Sequence, residues 1–445
     1  MRTMRLSSKQ KIIPWALAAS LALAACSGDT TAAPLDEADG DSATGDITLT
    51  VWSWDATVEQ SVAGFEAANP GIKVEVANVG SSMDEYTSLD NAIQAGSGVP
   101  DLVMFEYFAI PYFAIPGKLT DLTEFGAQDL ENDYVASAWS NVTMGTDAVY
   151  ALPSDYGPAV LFWNADTFAK AGLTEAPATW DEYYEAAKAI RALGGDYYID
   201  HDTGDLFGLL AMIWQAGGRP FKVDGNDITI DFSEPETVKV LEFRQKMLDE
   251  GLLGDSVTAW SDDWNRALND GTLATQNMGG WLTSSLIERA PDQSGNWRIA
   301  LLPQWEAGEK VGAENGGSSF GIPTDAAHKE EAYKFLEYFT NGDGLQPRVD
   351  AGAFVPNLSV LDSPEFQDAS NAFFGDEKTG AVLAEASEIA ATGWQYPPFF
   401  EWARTVYADI CAPLYTDHEG TLEGVFETWR ERMVEYGNEQ GFTVK

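Results

Sequence analysis

The chain sets carboxylates beside aromatic rings at positions where one ligand could meet both. Trp54-Asp55 closes the segment ITLTVWSWD, and Glu106-Tyr107 directly follows the apolar run LVMF at 102–105. Carboxylates and amides form oriented hydrogen bonds with hydroxyl groups, while the flat face of an indole or phenol covers a weakly apolar ring. That pairing suits a neutral ligand rich in hydroxyls. The same residue types admit a second chemistry, because two carboxyl groups facing each other across a cleft can hydrolyse a glycosidic bond. Asp55, Glu106 and Asp155 are the carboxylates available for it. Other chemistries find little support. His201, His328 and His418 lie far apart and without metal-ligand spacing. Asp200, Asp202 and Asp205 begin like a calcium loop, but residue 211, where the loop needs a glutamate, is alanine. Neither a metal nor a cofactor is expected.

The elements that must position these residues alternate between strand and helix. ITLTVWSW at 47–54 alternates like a strand, and a Thr57-x-x-Gln60 capping box opens a helix that Asn69-Pro70-Gly71 stops. Ile72, Val74 and Val76 alternate again, a helical stretch follows, and LVMF reads as a buried strand. Thr179-x-x-Glu182 and Ser233-x-x-Glu236 announce two further helices, the second closed by Gly251. Between those two helices, FKVDGNDITIDF reads as a hairpin turning at Asp224-Gly225. Such an order implies α/β architecture, with ligands held beyond the carboxyl ends of parallel strands. Trp54-Asp55 and Glu106-Tyr107 both fall there. Trp429 shares one helical stripe with Leu422, Val425, Phe426 and Met433, so it belongs to packing.

The amino terminus carries a different signal. Arg2, Arg5, Lys9 and Lys11 precede an uncharged apolar run from Ile12 to Ala25, too short to span a bilayer as a helix. Residues 1–25 read as a secretory signal peptide. Leu23-Ala24-Ala25-Cys26 resembles the bacterial lipobox, which implies that Cys26 is diacylated, becomes the mature N-terminus and anchors the chain to the outer face of the cell membrane. Residues 26–46 then form the lipidated cysteine and an acidic tether with little that could fill a core. About 400 residues remain, enough for two lobes rather than one core. A formal net charge of −44 disfavours nucleic acid and anionic ligands. With Cys26 lipidated, Cys411 has no partner and is expected to be an inert core residue.

Four blocks, ITLTVWSWD, DAVYALPSDYGPAVLFWNADTFAKAGL, NMGGWLTSSL and GGSSFGIPTDAAHKEEAYKFLEYFTN, together resemble the carbohydrate-binding proteins of ABC importers, the maltose-binding-like extracellular solute-binding proteins. The resemblance runs from about residue 46 to the C-terminus. It implies a type II periplasmic-binding-protein-like fold: two α/β lobes, a ligand cleft between them, and three hinge crossings near residues 155–159, 315–318 and 354–357. The N-lobe would then comprise 47–156 and 318–354, and the C-lobe 157–317 and 355–445. Implied partners are a neutral mono- or oligosaccharide and a membrane permease driven by a cytoplasmic ATPase, with capture by hinge closure and no catalysis. By the same matching, Asp155 and Tyr156 lie at the first crossing, Asn315, Gly316 and Gly317 at the second, and Trp281 is the sugar-stacking residue. The family often has Gly-Pro before this tryptophan where the present chain has Gly279-Gly280, which implies a looser loop. Trp394 in ATGWQYPPFF aligns with another family aromatic. Trp214, ahead of Ala216-Gly217-Gly218, completes the expected set.

Overall fold

The computed structural model describes residues 46–445. The expected signal peptide, Cys26 and all but the last residue of the expected tether lie outside them. Strand β1 (Ile47–Trp52) leads through helix α1 (Glu59–Ala68) to β2 (Ile72–Ala77), then through α2 (Met83–Ala95) to β3 (Leu102–Glu106). Both β2 and β3 pair in parallel with β1. The run Leu102 to Phe105 is fully buried, which explains why it is continuously apolar rather than alternating. Two antiparallel members complete this sheet: Ser318–Gly321 beside β3, and then β4 (Leu152–Pro153). A residue pair separated by more than 200 positions is therefore adjacent in the sheet.

A second sheet is centred on β5 (Ala159–Asn164), flanked on both sides by antiparallel strands Thr275–Gly279 and Trp297–Leu301. Three segments connect the two sheets and their helices, and they lie side by side. Asn315 N–H donates to Gly157 O at 2.7 Å, Ala159 N–H to Ala313 O at 2.9 Å, and Tyr156 N–H to Phe354 O at 3.1 Å. Backbone hydrogen bonding across these strips gives a shared bend with few degrees of freedom.

Local signals have local outcomes. The Thr179 hydroxyl caps the helix Trp180–Arg191 by accepting from Glu182 N at 3.2 Å, and Glu182 reaches back to Ala178 N at 2.7 Å. Two expected starts differ. Asp55, not Thr57, caps the entry to α1, because a 3-10 turn over Ala56–Val58 is inserted first. The helix expected from Ser233 begins at Pro235, whose fixed φ defines the first turn, while the Ser233 hydroxyl bonds Asp231 at 2.6 Å. The hairpin strands Phe221–Asp224 and Asp227–Ile230 turn at Gly225-Asn226, one residue later than expected, with Gly225 at φ 57°. Trp429 is fully buried and donates its indole N–H to Ala403 O at 2.7 Å. Cys411 is buried too, and burial pushes its thiol up to about 11. Among the described residues, no helix is long and apolar enough to cross a membrane.

Candidate functional site

The connecting segments and the ends of both sheets enclose a cavity of about 350 Å³. Glu106, Tyr107 and Phe108 enter it from the end of β3, Asp155 from the first connection, and residues 314–318 from the second. Met278 and Trp281 face them from the second sheet, and Trp260, Asp205, Phe207 and Tyr396 close the remaining wall. Among the described residues, no lysine, arginine or histidine lines it. A larger cavity of about 1170 Å³ lies between residues 128–149 and 358–392. It holds none of the expected ligand residues and one tryptophan, so it lacks the pairing of rings with oriented polar groups.

Trp281 is built in by its neighbours. It begins the helix Leu282–Arg289, one residue after Gly280, and its indole N–H donates to Asn315 O at 2.7 Å. That bond ties the second sheet to the second connection. A Cβ at Gly279 would stand 2.3 Å from the Trp281 indole nitrogen, and one at Gly157 would stand 2.3 Å from Asn315 O. The absence of side chains there is what lets the ring lie against the backbone. Trp260 stacks on Trp281 with centroids 5.8 Å apart and planes at 28°. It is 48% exposed, holds a left-handed φ of 69°, and has the Arg289 guanidinium 5.0 Å over its ring. An aromatic residue in that backbone region is strained, a condition concentrated at functional sites.

Opposite, the Tyr107 hydroxyl donates to Asp155 O at 2.9 Å, and its backbone N–H to Gly317 O at 3.2 Å. Asp155 accepts from Ser318 N at 2.6 Å. Burial raises its carboxyl to about 7, and the Asp55 charge adds to the rise. Burial also raises Glu106, against the pull of Ser82 and Arg404, and raises Asp205, against that of His201. Glu314 stands well above the carboxylate range for the same reason. Burial thus pushes the four carboxyls around the cavity towards their neutral forms, a lining that offers hydrogen bonds to neutral hydroxyls and, among the described residues, none of the cations an anion needs.

The expected residues divide. Glu106, Tyr107, Asp155, Trp281, Asn315, Gly316 and Gly317 are brought together around this cavity. Asp55 is placed instead in an ion pair with the fully buried Arg348, at 2.9 Å, while capping the 3-10 turn. Trp54 does not line the cavity but packs edge-on against Tyr86 at 6.2 Å, whose hydroxyl accepts from Glu106 N at 2.9 Å. Tyr156 is fully buried and its hydroxyl is bonded to Ser137 at 2.5 Å. Trp214 and Trp394 stack on each other at 4.6 Å, both buried. Trp394 lines a separate space of about 240 Å³, on the other side of Tyr107 and Tyr396. The residues of the calcium-like sequence are engaged by other groups: Asp202 is ion-paired with Arg244, and Asp200 accepts from Gln276 at 3.0 Å and His201 N at 2.8 Å.

Sequence reasoning passed over Glu314, Trp260, Phe207 and Tyr396. Glu314 immediately precedes Asn315-Gly316-Gly317 and could have been found with them. Trp260 precedes Ser261, whose hydroxyl accepts from Trp264 N at 3.2 Å and caps the helix Asp262–Asp270, so a loop tryptophan before a cap was the available signal.

The family described as bacterial extracellular solute-binding protein matches residues 52–344 of this chain. The chain belongs to that family. Among solved solute-binding proteins, the ABC-transporter-associated binding protein of B. animalis subsp. lactis Bl-04, in complex with β-1,6-galactobiose, is 41% identical, with 89% of this chain and 99% of that one covered at a TM-score of 0.78. The sugar-binding protein MalE of Xanthomonas citri shares the fold at a TM-score of 0.74 and 22% identity, over 88% of this chain and 98% of its own. These likenesses establish the two-lobed α/β architecture. The arabinooligosaccharide-binding protein of Halalkalibacterium halodurans is 26% identical over 361 residues, 78% of this chain and 80% of that protein. Relatives of this solute-binding protein are thus binding proteins rather than enzymes.

Proposed function

We propose that this solute-binding protein captures a neutral sugar, an oligosaccharide by preference, and delivers it to the permease of an ABC importer. The observation that carries the reading is the cavity itself. It sets the Trp281–Trp260 pair against Tyr107, Asp155 and the Asn315–Ser318 backbone, with no cationic side chain among the described residues that line it. Rings with weakly apolar faces stack on the indoles while hydroxyls meet the carboxyls and amides. The similar protein's complex with β-1,6-galactobiose supports the same ligand class here.

We assign 47–156 and 318–354 to the N-lobe, and 157–317 and 355–445 to the C-lobe, with the connecting strips as the hinge. Phe108 meets Phe207 at 5.5 Å and Phe400 at 5.9 Å across the two, so closure buries apolar surface as well as ligand. A ligand favours the closed form only by the margin with which it binds that form more tightly. Residues 1–25 are assigned as signal peptide and Cys26 as the lipid anchor holding the protein at the outer face of the membrane, where the permease and its cytoplasmic ATPase act. The role is capture without hydrolysis.

Titrating the purified protein with β-1,6-galactobiose, lactose and an arabinooligosaccharide, by calorimetry and small-angle scattering, tests this. At least one sugar should bind saturably and contract the particle. Shorter products after incubation, or no binding by any neutral sugar, would refute it.

A further inference from the structure

Glu314 sits in the second connection, where its backbone pairs with Pro158. Only 1% of the residue is exposed. Its Oε1 accepts from Asn141 Nδ2 at 2.9 Å, but Oε2 has no hydrogen-bond partner among the described residues. The residue lines the cavity that the proposed sugar occupies. An orphaned buried oxygen on a residue that lines a binding cavity needs an explanation, since buried polar atoms are nearly always paired.

The surroundings determine what that oxygen can do. Asp155 approaches from the first connection together with Tyr156, Tyr107 comes from the end of β3, and Tyr396 from the loop ahead of the helix Phe400–Thr416. None is a cation. The three phenols are held well above their ordinary range by burial, so they stay neutral, and a charge on Asp155 opposes a second charge beside it. An ionised carboxylate here would be desolvated with one amide for support, whereas the neutral acid is both donor and acceptor. We propose that Glu314 is a specificity-determining donor, presenting an Oε2–H to an oxygen of the bound sugar while Oε1 stays with Asn141. This rests on the sugar-binding reading and deepens it. Because Asn141 lies on the helix Ala136–Thr143, in the part assigned to the N-lobe, the same carboxyl joins ligand, hinge and lobe.

The test uses the full-length protein, β-1,6-galactobiose, and the variants Glu314→Gln and Glu314→Ala. Glutamine keeps an acceptor for Asn141 and supplies an N–H in place of the acid proton, so E314Q should bind within about threefold of wild type, whereas E314A should bind roughly tenfold to a hundredfold more weakly. Infrared difference spectra of the wild type, with and without sugar, should show a protonated-carboxyl band that shifts on binding and is missing in E314Q. Where E314A fails to fold, the E314Q affinity and the spectra decide. Binding by E314Q as weak as by E314A, or a wild-type spectrum in which sugar perturbs no Glu314-dependent protonated band, overturns the inference alone. A wild type that binds no neutral sugar overturns the sugar-binding reading, and this inference with it.

Discussion

Replacing Asp55 with alanine separates two roles that one carboxylate at the end of β1 could hold. Its oxygens accept from Thr57 N at 2.8 Å, from the Thr57 hydroxyl at 2.7 Å and from Arg348 Nη2 at 2.9 Å. Losing the cap removes about 1 kcal/mol. Stranding the guanidinium is worse: Arg348 is fully buried, and breaking such a pair destabilises by roughly 3–5 kcal/mol. Arg348 keeps Ser154 Oγ at 2.8 Å, Phe339 O at 3.1 Å and a place over the Phe339 ring, which holds the total near the lower end, on the order of 4 kcal/mol. With an unfolding entropy of ~2.1 cal/mol/K per residue over roughly 400 residues, the melting temperature should fall by about 5 °C. Galactobiose affinity at 25 °C, measured by calorimetry, should stay within about twofold, since Asp55 does not line the cavity. Adding Arg348→Met to D55A should recover part of the loss, because no buried charge is then left unpaired. An Asp55→Ala protein that melts like wild type yet binds sugar tenfold more weakly would show that the carboxylate serves the ligand and not the fold.

Trp281→Ala should weaken galactobiose binding by roughly 1–3 kcal/mol without unfolding the protein, read from the shift in the titration midpoint. Trp260→Ala should weaken binding less, and Trp260→Gly should melt slightly above Trp260→Ala, because only glycine sheds the Cβ that strains the left-handed backbone. Trp214→Ala should instead lower stability by about 3–5 kcal/mol in urea, because it opens a hole beneath Trp394. Glu85 gives a pH-dependent case. It is fully buried, neither carboxyl oxygen has a partner among the described residues, and burial raises it to about 8. The folded protein therefore keeps a proton that the unfolded chain releases near pH 4.3, so this group makes the fold less stable as pH rises from there towards 8. Glu85→Gln should match wild type at pH 4 and exceed it at pH 7 by on the order of 3 kcal/mol; equal stability curves across that range would exclude the effect.

Periodicity and punctuation determined much of this protein without a structure. The alternation of β1 and β2, the continuous run in β3, the paired caps of Thr179 on Glu182 N and of Glu182 on Ala178 N, and the Trp429 stripe each depend on neighbours within a few residues, and those neighbours are written next to them. Gly279-Gly280-Trp281 was legible for a related reason, since a strand end, a tight approach and a helix start occupy consecutive positions. What surrounds each of those elements was decided elsewhere. Asp55 became a structural anion because Arg348, 293 positions away, arrives fully buried beside it. Trp214 and Trp394, two expected platforms, cover each other, and a helical face cannot tell whether its partner will be a ring of the chain or a ring of the ligand. Glu314 acquired its orphaned oxygen and its cavity only when two connecting strips and the helix Ala136–Thr143 were laid together. Local patterns state what a segment can bury, whereas desolvation, and with it the charge and role of a carboxyl, depends on every segment that packs around it.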